Sequence, residues 1–150
     1  MSFRTIATNR KAYHDYFLSD EQEAGIALTG TEIKSVREGR VNLRDSYVQI
    51  RGGQAWLMNV HIAPYPQGNR ANPDPRRDRK LLLHKREILR LQAAVQEKGL
   101  TIVTLQMYMK DNRAKVEIAL AKGKKLYDKR EALAKKETQR LVEQELKDRR

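Results

Sequence analysis

The stretch "SYVQIRGGQAWLMNVHI", Ser46–Ile62, contains the clearest structural signal in the chain. Two runs rich in β-branched, aromatic and long apolar residues flank Gly52-Gly53, and glycine adopts the positive φ angles that two-residue hairpin turns require. The pattern therefore predicts a β-hairpin. Because side chains alternate along a strand, certain positions should share a face: Val48 with Ile50 on the first strand, and Trp56, Met58, Val60 and Ile62 on the second.

Upstream of the hairpin, the sequence predicts one strand and one short helix. "GIAL", Gly25–Leu28, is the strand candidate. Thr31 is predicted to cap a helix in "EIKSVREG", which should end at Gly39. Residues 1–12 read as a loose, polar, basic lead.

Downstream, "PYPQGNRANPDPRRDR" predicts a long loop over residues 64–79, because it holds all four prolines of the chain. "KLLL" then leads into a helix from about His84 to Lys98, followed by two alternating strands. Their predicted inward positions are Ile88, Leu91 and Val95 on the helix, Val103, Leu105, Met107 and Met109 on the first strand, and Val116, Ile118 and Leu120 on the second. We therefore expect a mainly β fold with short helices: a small OB-like barrel over residues 1–125.

The last segment, residues 126–150, has a different composition. It is highly charged, and its apolar residues form only a thin, interrupted stripe: Leu126, Leu133, Leu141, Val142 and Leu146. An isolated helix of this length is marginal in water. We expect a tail that is disordered alone and becomes helical when it is bound to a partner.

The charge of the chain points to a polyanionic partner. The formal net charge is +12 and the sequence pI is about 10.1, and such a charge attracts nucleic acid, anionic membrane or acidic protein. No apolar run approaches the roughly 20 residues of a membrane helix, and the first residues lack a signal-peptide core. We therefore expect a cytoplasmic protein. The chain has no cysteine, which excludes disulfides and cysteine-bound zinc.

Catalytic and metal-binding patterns are weak in this sequence. The three histidines, His14, His61 and His84, are far apart, and no HExxH or GxSxG motif occurs. "AKGKK" resembles half of a phosphate-binding loop, but it lacks the upstream glycine and the Ser or Thr after the lysine. Glu32 has no obvious partner carboxylate and fits the N-terminus of a helix. We expect no catalytic residue, metal or cofactor, with a metal-dependent nuclease as an open alternative.

Basic residues are concentrated in short clusters, some of them next to tyrosines. Lysine and arginine neutralise phosphates and release counterions, and exposed rings can stack on unpaired bases. The basic clusters are Arg10-Lys11, Arg76–Lys80, Lys122–Lys125 and Lys129-Arg130, and the tyrosines are Tyr13, Tyr16, Tyr65 and Tyr127. This pattern favours RNA binding.

Several longer blocks give the chain a family resemblance. "NRKAYHDYFL", "EAGIALTGTEIKSVREGR", "DPRRDRKLLLHKREI", "KGLTIVTLQMY" and "ALAKGKKLYDKRE" occur in the order and spacing of the small protein B (SsrA-binding protein) family. The chain resembles this family over nearly its full length, and the match is specific because several long blocks recur together.

The resemblance implies an OB-like barrel that binds the tRNA-like domain of transfer-messenger RNA (tmRNA). Members of the family deliver this RNA to bacterial ribosomes stalled on messages without a usable stop codon. They meet elongation factor Tu indirectly, through the aminoacylated tmRNA. The tail enters the decoding centre of the 16S rRNA and the empty mRNA channel, where it folds as a helix. The resemblance thus implies an RNA-binding factor and not an enzyme, and we expect a monomer.

Candidate site residues fall into two groups. The tmRNA group takes Glu23, Leu82, His84 and Lys115 from family positions, and Arg76, Arg79 and Lys80 from a basic cluster. The ribosome group, at the decoding centre, takes His14, Lys122, Gly123, Lys124, Lys125, Tyr127, Asp128, Lys129 and Arg130. One departure is that Thr138 stands where relatives often carry tryptophan, with Leu141 or Val142 as possible replacements for that anchor.

Three other classes of protein fit parts of the pattern. A structural ribosomal protein would share the charge and the tail, and it would stay on ribosomes through high-salt washing. A nuclease would need a divalent ion and would degrade RNA. A membrane-surface protein would use the tail as an amphipathic helix, but the acidic residues and thin apolar stripe of the tail argue against this.

Overall fold

The computed structural model describes residues 3–124, without the side chains of residues 69–71. In chain order the elements are β1 (Phe3–Thr8), α1 (Arg10–Asp15), β2 (Tyr16–Ile26), α2 (Gly30–Arg37), β3 (Val41–Asn42), β4 (Tyr47–Arg51), β5 (Gln54–Met58), β6 (His61–Ile62), a 3-10 helix (Pro66–Ala71), β7 (Arg79–Leu82), α3 (Lys85–Lys98), β8 (Thr101–Lys110) and β9 (Arg113–Gly123). The mainly β fold with short helices is confirmed.

The main sheet closes on itself. Its seven strands follow the order β1-β8-β4-β5-β7-β2-β9, and β8 also pairs with β9. Strand β8 shares one edge between two partners, because Val103 lies opposite β4 while Gln106–Lys110 lie opposite β1. The result is a small antiparallel barrel that carries the extra strand β1. Strands β3 and β6 form a separate two-stranded sheet.

The hairpin predicted around Gly52-Gly53 is confirmed. Strands β4 and β5 pair with Arg51 opposite Gln54, and both glycines have positive φ angles of 60° and 72°. The shared face predicted for the second strand is wrong. Strand β5 ends at Met58, and the positive φ of Asn59 (62°) breaks the alternation. The core residues of this region are therefore Ala55, Leu57, Val60 and Ile62, whereas Trp56 and Met58 face outward and are half-buried.

The loose lead predicted for residues 1–12 is also wrong over its described part, residues 3–12. Strand β1 pairs with β8, and α1 follows at once. The buried Asn9 anchors the junction. Its Oδ1 accepts a hydrogen bond from the backbone N–H of Ala12 (3.2 Å), and its Nδ2 donates to the carbonyls of Leu43 (3.2 Å) and Thr104 (2.9 Å).

The short helix α2 begins two residues earlier than the sequence predicts. Its N-cap is Thr29, not Thr31. The Thr29 hydroxyl accepts from the backbone N–H of Glu32 (3.3 Å), and the Glu32 carboxylate accepts from the backbone N–H of Thr29 (3.0 Å). This reciprocal capping box requires a residue three positions before the glutamate. Gly39, with φ of 75°, follows the helix end as predicted.

The remaining elements combine confirmed and corrected expectations. Helix α3 agrees closely with the prediction, with His84 as N-cap and Gly99 (φ 64°) as C-cap. Strand β2 is much longer than the predicted Gly25–Leu28 and ends at Ile26. The predicted loop over residues 64–79 contains a 3-10 helix, and its last residue begins β7.

The interior is divided into two apolar clusters, and a bulge in β8 decides which residues enter each. The register with β9 shifts between Thr104 and Gln106, so Leu105 is the extra residue. An extra residue reverses the faces beyond it. Val103 and Leu105 consequently lie in the smaller cluster beneath α1, while Met107 and Met109 lie in the barrel core. The single face predicted for β8 is thus wrong, whereas the inward positions predicted for β9, Val116, Ile118 and Leu120, are confirmed.

Candidate nucleic-acid interface

An open groove with a volume of about 670 Å³ crosses strands β7, β2 and β9. Gly25 in β2 lies at its centre, opposite Leu82 of β7 on one side and Lys115 of β9 on the other. Because glycine has no side chain, the sheet surface is depressed at this point. A Cβ on Gly25 would lie 3.3 Å from the Leu82 Cβ, closer than ordinary van der Waals contact. Gly25 therefore shapes the groove.

Five of the seven residues predicted for the tmRNA group lie around this groove: Glu23, Lys80, Leu82, His84 and Lys115. Leu82 is 56% exposed, which is high for a leucine and gives the groove an apolar wall. The two lysines contribute positive charge. Sequence reasoning missed Gly25. Its position within the "GIAL" strand candidate was a usable signal, because a glycine inside a strand often marks a close approach.

Glu23 is held in place by a buried tyrosine on a different strand. The Tyr108 hydroxyl donates a hydrogen bond to the Glu23 carboxylate, and Lys110 Nζ lies 3.5 Å from that carboxylate. The hydrogen bond from Tyr108 is the main cause that lowers the pKa of Glu23, and Lys110 and Lys115 lower it further. Burial, followed by the bond to Glu23, raises the pKa of Tyr108. Glu23 is therefore an ionised acceptor at neutral pH, beside two cations.

The backbone of His84 is fixed at the start of α3. Its N–H donates to the Glu87 carboxylate (2.8 Å), and its carbonyl accepts from the N–H of Glu87 (3.0 Å). This helix start holds His84 at the rim of the groove.

Arg79 does not belong to the groove. Its side chain is fully buried, and Nε lies 2.6 Å from a Glu32 carboxylate oxygen. Its other nitrogens donate to the carbonyls of Val60 (2.7 Å) and Pro75 (3.0 Å). These contacts leave the guanidinium no exposed surface for a phosphate, so the structure corrects the assignment of Arg79 to the RNA-binding group. Arg79 instead joins β7 to α2.

Glu32 is the buried anion that balances Arg79. It also accepts from Arg77 at 2.6 Å. Burial alone would raise the pKa of Glu32, but the hydrogen bonds from Arg77, the Thr29 backbone and Arg79 outweigh burial and lower the pKa. The predicted place of Glu32 at a helix N-terminus is confirmed. Arg76 lies outside the groove and donates to the Asn59 side chain at 2.8 Å.

The described residues of the ribosome group lie at the other end of the β2–β9 pair. Tyr16 is opposite Gly123, and Phe17 is opposite Lys122. Lys124 Nζ lies 5.2 Å from the centre of the Phe17 ring, within cation–π range. His14, in the last turn of α1, has a side chain that is 81% exposed. Lys125, Tyr127, Asp128, Lys129, Arg130 and Thr138 lie outside the described residues, as does the rest of the segment 126–150.

The two surfaces are therefore separated along one strand. Lys115 and Lys122 are seven residues apart on β9, and an extended strand rises about 3.3 Å per residue. The groove and the His14 end are thus about 23 Å apart on the same pair of strands. One macromolecule can contact the groove while another contacts the far end.

Among residues 3–124, no group of three His, Asp or Glu side chains is placed to hold a metal ion. No helix in that range is long and apolar enough to cross a membrane.

Comparison with known proteins assigns the chain to a family. The family model described as SmpB protein matches residues 6–148. The SsrA-binding protein of Carboxydothermus hydrogenoformans is 60% identical over 146 residues, which cover 97% of this chain and 98% of the relative. That of Clostridium tetani is 56% identical, with 99% of this chain and 95% of the relative covered.

A solved structure agrees with this assignment. A chain in the structure described as "tmRNA-SmpB: a journey to the center of the bacterial ribosome" is 50% identical and superposes with a TM-score of 0.67. The match covers 79% of this chain and 83% of that chain. The sequence blocks, the barrel and these matches agree: the chain belongs to the SmpB protein family.

Proposed function

We propose that this protein is a ribosome-rescue factor that binds the tRNA-like domain of tmRNA and delivers it to stalled ribosomes for trans-translation. The observation that carries the proposal is the convergence of Glu23, Lys80, Leu82, His84 and Lys115 on one groove. The names SsrA-binding protein and tmRNA-SmpB of the matched relatives support the choice of this RNA.

The chemistry of the groove suits a folded RNA. The two lysines pair with phosphates, and the ionised Glu23 accepts hydrogen bonds from 2′-hydroxyl or base amino groups. The exposed Leu82 packs against a sugar or a base edge. A carboxylate in a basic groove disfavours an arbitrary polyanion, because a phosphate placed beside it is repelled. The groove therefore favours one RNA shape over others.

The second surface faces the ribosome in this proposal. His14, Lys122, Gly123 and Lys124 contact 16S rRNA at the decoding centre while the groove holds tmRNA. Lys125, Tyr127, Asp128, Lys129 and Arg130 continue this contact, and residues 126–150 occupy the empty mRNA channel as a helix. Elongation factor Tu meets the protein indirectly, through the aminoacylated tmRNA. The protein acts in the cytoplasm, as a monomer and without a catalytic step of its own.

A competition assay tests the proposal. Labelled tRNA-like domain of tmRNA, bound to the full-length protein, is challenged with ordinary tRNA and with unstructured RNA at about 0.15 M salt and at higher salt. We expect the tRNA-like domain to be preferred at both salt concentrations. Equal competition by every RNA would reject shape-specific recognition and favour a structural ribosomal protein. Mg²⁺-dependent shortening of the labelled RNA would favour the nuclease alternative.

A further inference from the structure

A tryptophan lies beside the groove on the same outer face of the barrel. Trp56, the one tryptophan in the sequence, lies in β5, directly opposite Gln49 of β4 and Lys80 of β7. Both of these neighbours are exposed. The residues on either side of Trp56 in β5 are fully buried, so the indole itself is on the outer face.

The surface around Trp56 is continuous with the groove. Gln54 and Leu82 line the groove. Trp56 lies two residues beyond Gln54, and Lys80 lies two residues before Leu82, so each pair shares a face. A two-residue step along a strand is about 7 Å. This is close to the spacing of successive nucleotides in an extended strand, so one RNA chain can contact both places.

An arginine covers the indole ring. The guanidinium carbon of Arg51 is 5.1 Å from the ring centre of Trp56, within cation–π range. Arg51 Nη2 is also 3.5 Å from an Asp78 carboxylate oxygen. The aspartate thus helps to hold the guanidinium over the ring. A guanidinium cation thus lies over an aromatic ring. A second cation, Lys80, is in the adjacent strand position.

We propose that Arg51, Trp56 and Lys80 form a subsite for one unpaired nucleotide at the edge of the groove. The base stacks on the Arg51–Trp56 pair, and Lys80 neutralises the adjacent phosphate. Unpaired bases bind proteins by stacking on aromatic rings and guanidinium planes, whereas paired bases present mainly phosphates and 2′-hydroxyls. The inference rests on the proposed function in one respect: the subsite adjoins the groove that is proposed to bind RNA. The subsite further implies that the bound RNA has an unpaired nucleotide beside its helical part.

Tryptophan fluorescence reports this subsite directly, because the chain has no second tryptophan. The full-length protein is titrated with an unstructured single-stranded RNA of eight nucleotides and, separately, with linear polyphosphate of equal charge. We expect the RNA to quench the emission of Trp56 and polyphosphate to leave it nearly unchanged, because only the RNA supplies a base. Equal responses to the two polyanions, or no response to either, would overturn the proposal.

Substitutions separate stacking from charge. Trp56→Leu is expected to weaken binding of the eight-nucleotide RNA about fivefold to 100-fold, the range of one base–aromatic contact, with no change in salt dependence. Trp56→Phe should retain most of the affinity. Lys80→Ala should lower the salt slope by about one instead. Tyr47→Leu, on the adjacent strand of the same face, is the matched control and should have little effect.

The result distinguishes failure of this subsite from failure of the proposed function. Thermal denaturation checks the fold of each variant. If Trp56→Leu does not fold, the affinity of Trp56→Phe and the quenching of Trp56 in the wild-type protein still test the subsite. Fluorescence anisotropy of labelled tRNA-like domain is measured alongside. Normal binding of this domain to the wild-type protein, without quenching by the eight-nucleotide RNA, would reject the subsite alone. Base-dependent quenching without any preference for the domain would reject the proposed function alone.

Discussion

The hydroxyl of Tyr108, a buried residue of β8, donates a hydrogen bond to the carboxylate of Glu23, which is in β2 at the edge of the groove. Strand β9 lies between them, and Tyr108 is directly opposite Lys115 in that strand. Tyr108 lies on the face of β8 opposite to the core residues Met107 and Met109, and its ring packs against Phe3 of β1. A side chain from outside the groove thus fixes the carboxylate that the proposed tmRNA site combines with its lysines.

Replacing Tyr108 with phenylalanine is expected to weaken binding of the tRNA-like domain about threefold to tenfold, because the carboxylate loses a directed hydrogen bond. The pKa of Glu23 should rise, since that bond is the main cause that lowers it. NMR titration of the Glu23 carboxyl and anisotropy at several pH values measure both effects. Affinity that depends on ionised Glu23 is present above its pKa and is lost as the pH falls through it, so the variant should lose affinity at a higher pH than the wild type. Tyr65→Phe, away from the groove, is the control; identical Glu23 titrations in Tyr108→Phe and wild type would contradict the prediction.

Replacing Gly25 with valine is expected to reduce affinity for the tRNA-like domain about tenfold or more while the protein stays folded, because the side chain fills the floor of the groove. The Cβ alone would approach Leu82 to 3.3 Å, and a loss of roughly 1.4 kcal/mol corresponds to tenfold. The matched control is Gly30→Ala, where a Cβ would meet no described heavy atom within 4 Å. Unchanged affinity in Gly25→Val would show that the RNA does not reach this part of the sheet.

Replacing Glu32 with glutamine is expected to destabilise the fold by about 3–5 kcal/mol, because the buried Arg79 loses its anion. The pKa of Glu32 is lowered in the folded protein. Its contribution to stability is therefore fully present above the ordinary glutamate pKa, and it is lost as the pH falls through the lower folded-state value. Denaturant unfolding from about pH 7 down to acid pH measures both effects. A variant as stable as wild type at neutral pH, or one with the same acid dependence, would refute the structural role assigned to this ion pair.

Replacing Lys115 with alanine is expected to lower the salt slope of binding to the tRNA-like domain by about one, as for the loss of a single phosphate contact. The slope is obtained from anisotropy titrations over a series of salt concentrations. Lys98→Ala is the matched control, since Lys98 is exposed in the last turn of α3 and does not line the groove. If both variants change the slope equally, the charge acts at long range and not by contact.

Truncation after Leu126 should leave the affinity for the tRNA-like domain nearly unchanged and abolish tagging of peptides on stalled ribosomes. The groove lies wholly within residues 23–115, whereas the removed segment is assigned to the mRNA channel. A tagging assay and anisotropy with the same preparation test the two halves of the prediction. Large loss of RNA affinity in the truncated protein would mean that the tail contributes to tmRNA binding.

Much of the fold could be predicted because its signals are local. The glycine pair of the β4–β5 hairpin and the α3 stripe that ends at Gly99 depend on neighbouring residues only. The predictions that were wrong concern elements whose structure depends on contacts between residues far apart in the sequence. Strand β1 exists because β8, about 100 residues later, provides its hydrogen-bonding edge, and the bulge at Leu105 is a matter of register with β9.

In the candidate site, too, distant contacts decide what the sequence alone could not predict. Family resemblance supplied Glu23, Leu82, His84 and Lys115, and the sheet register brings them together around Gly25. The basic cluster that contains Arg79 looked uniform in sequence. The partner that buries this arginine, Glu32, is 47 residues away, so composition alone could not separate it from the exposed Lys80.

The pairing of β2 with β9 has a mechanical consequence. A hydrogen-bonded strand pair hardly stretches. The number of residues between Lys115 and Lys122 therefore determines the distance between the two surfaces. Each residue of the strand adds about 3.3 Å to this distance. A change of one residue also turns every later side chain to the opposite face. An insertion of two residues in β9 would keep the faces and add about 7 Å, whereas a single inserted residue would need a bulge, such as the one that β2 already has between Ser19 and Gln22. The length of β9 therefore sets the distance between the two bound macromolecules.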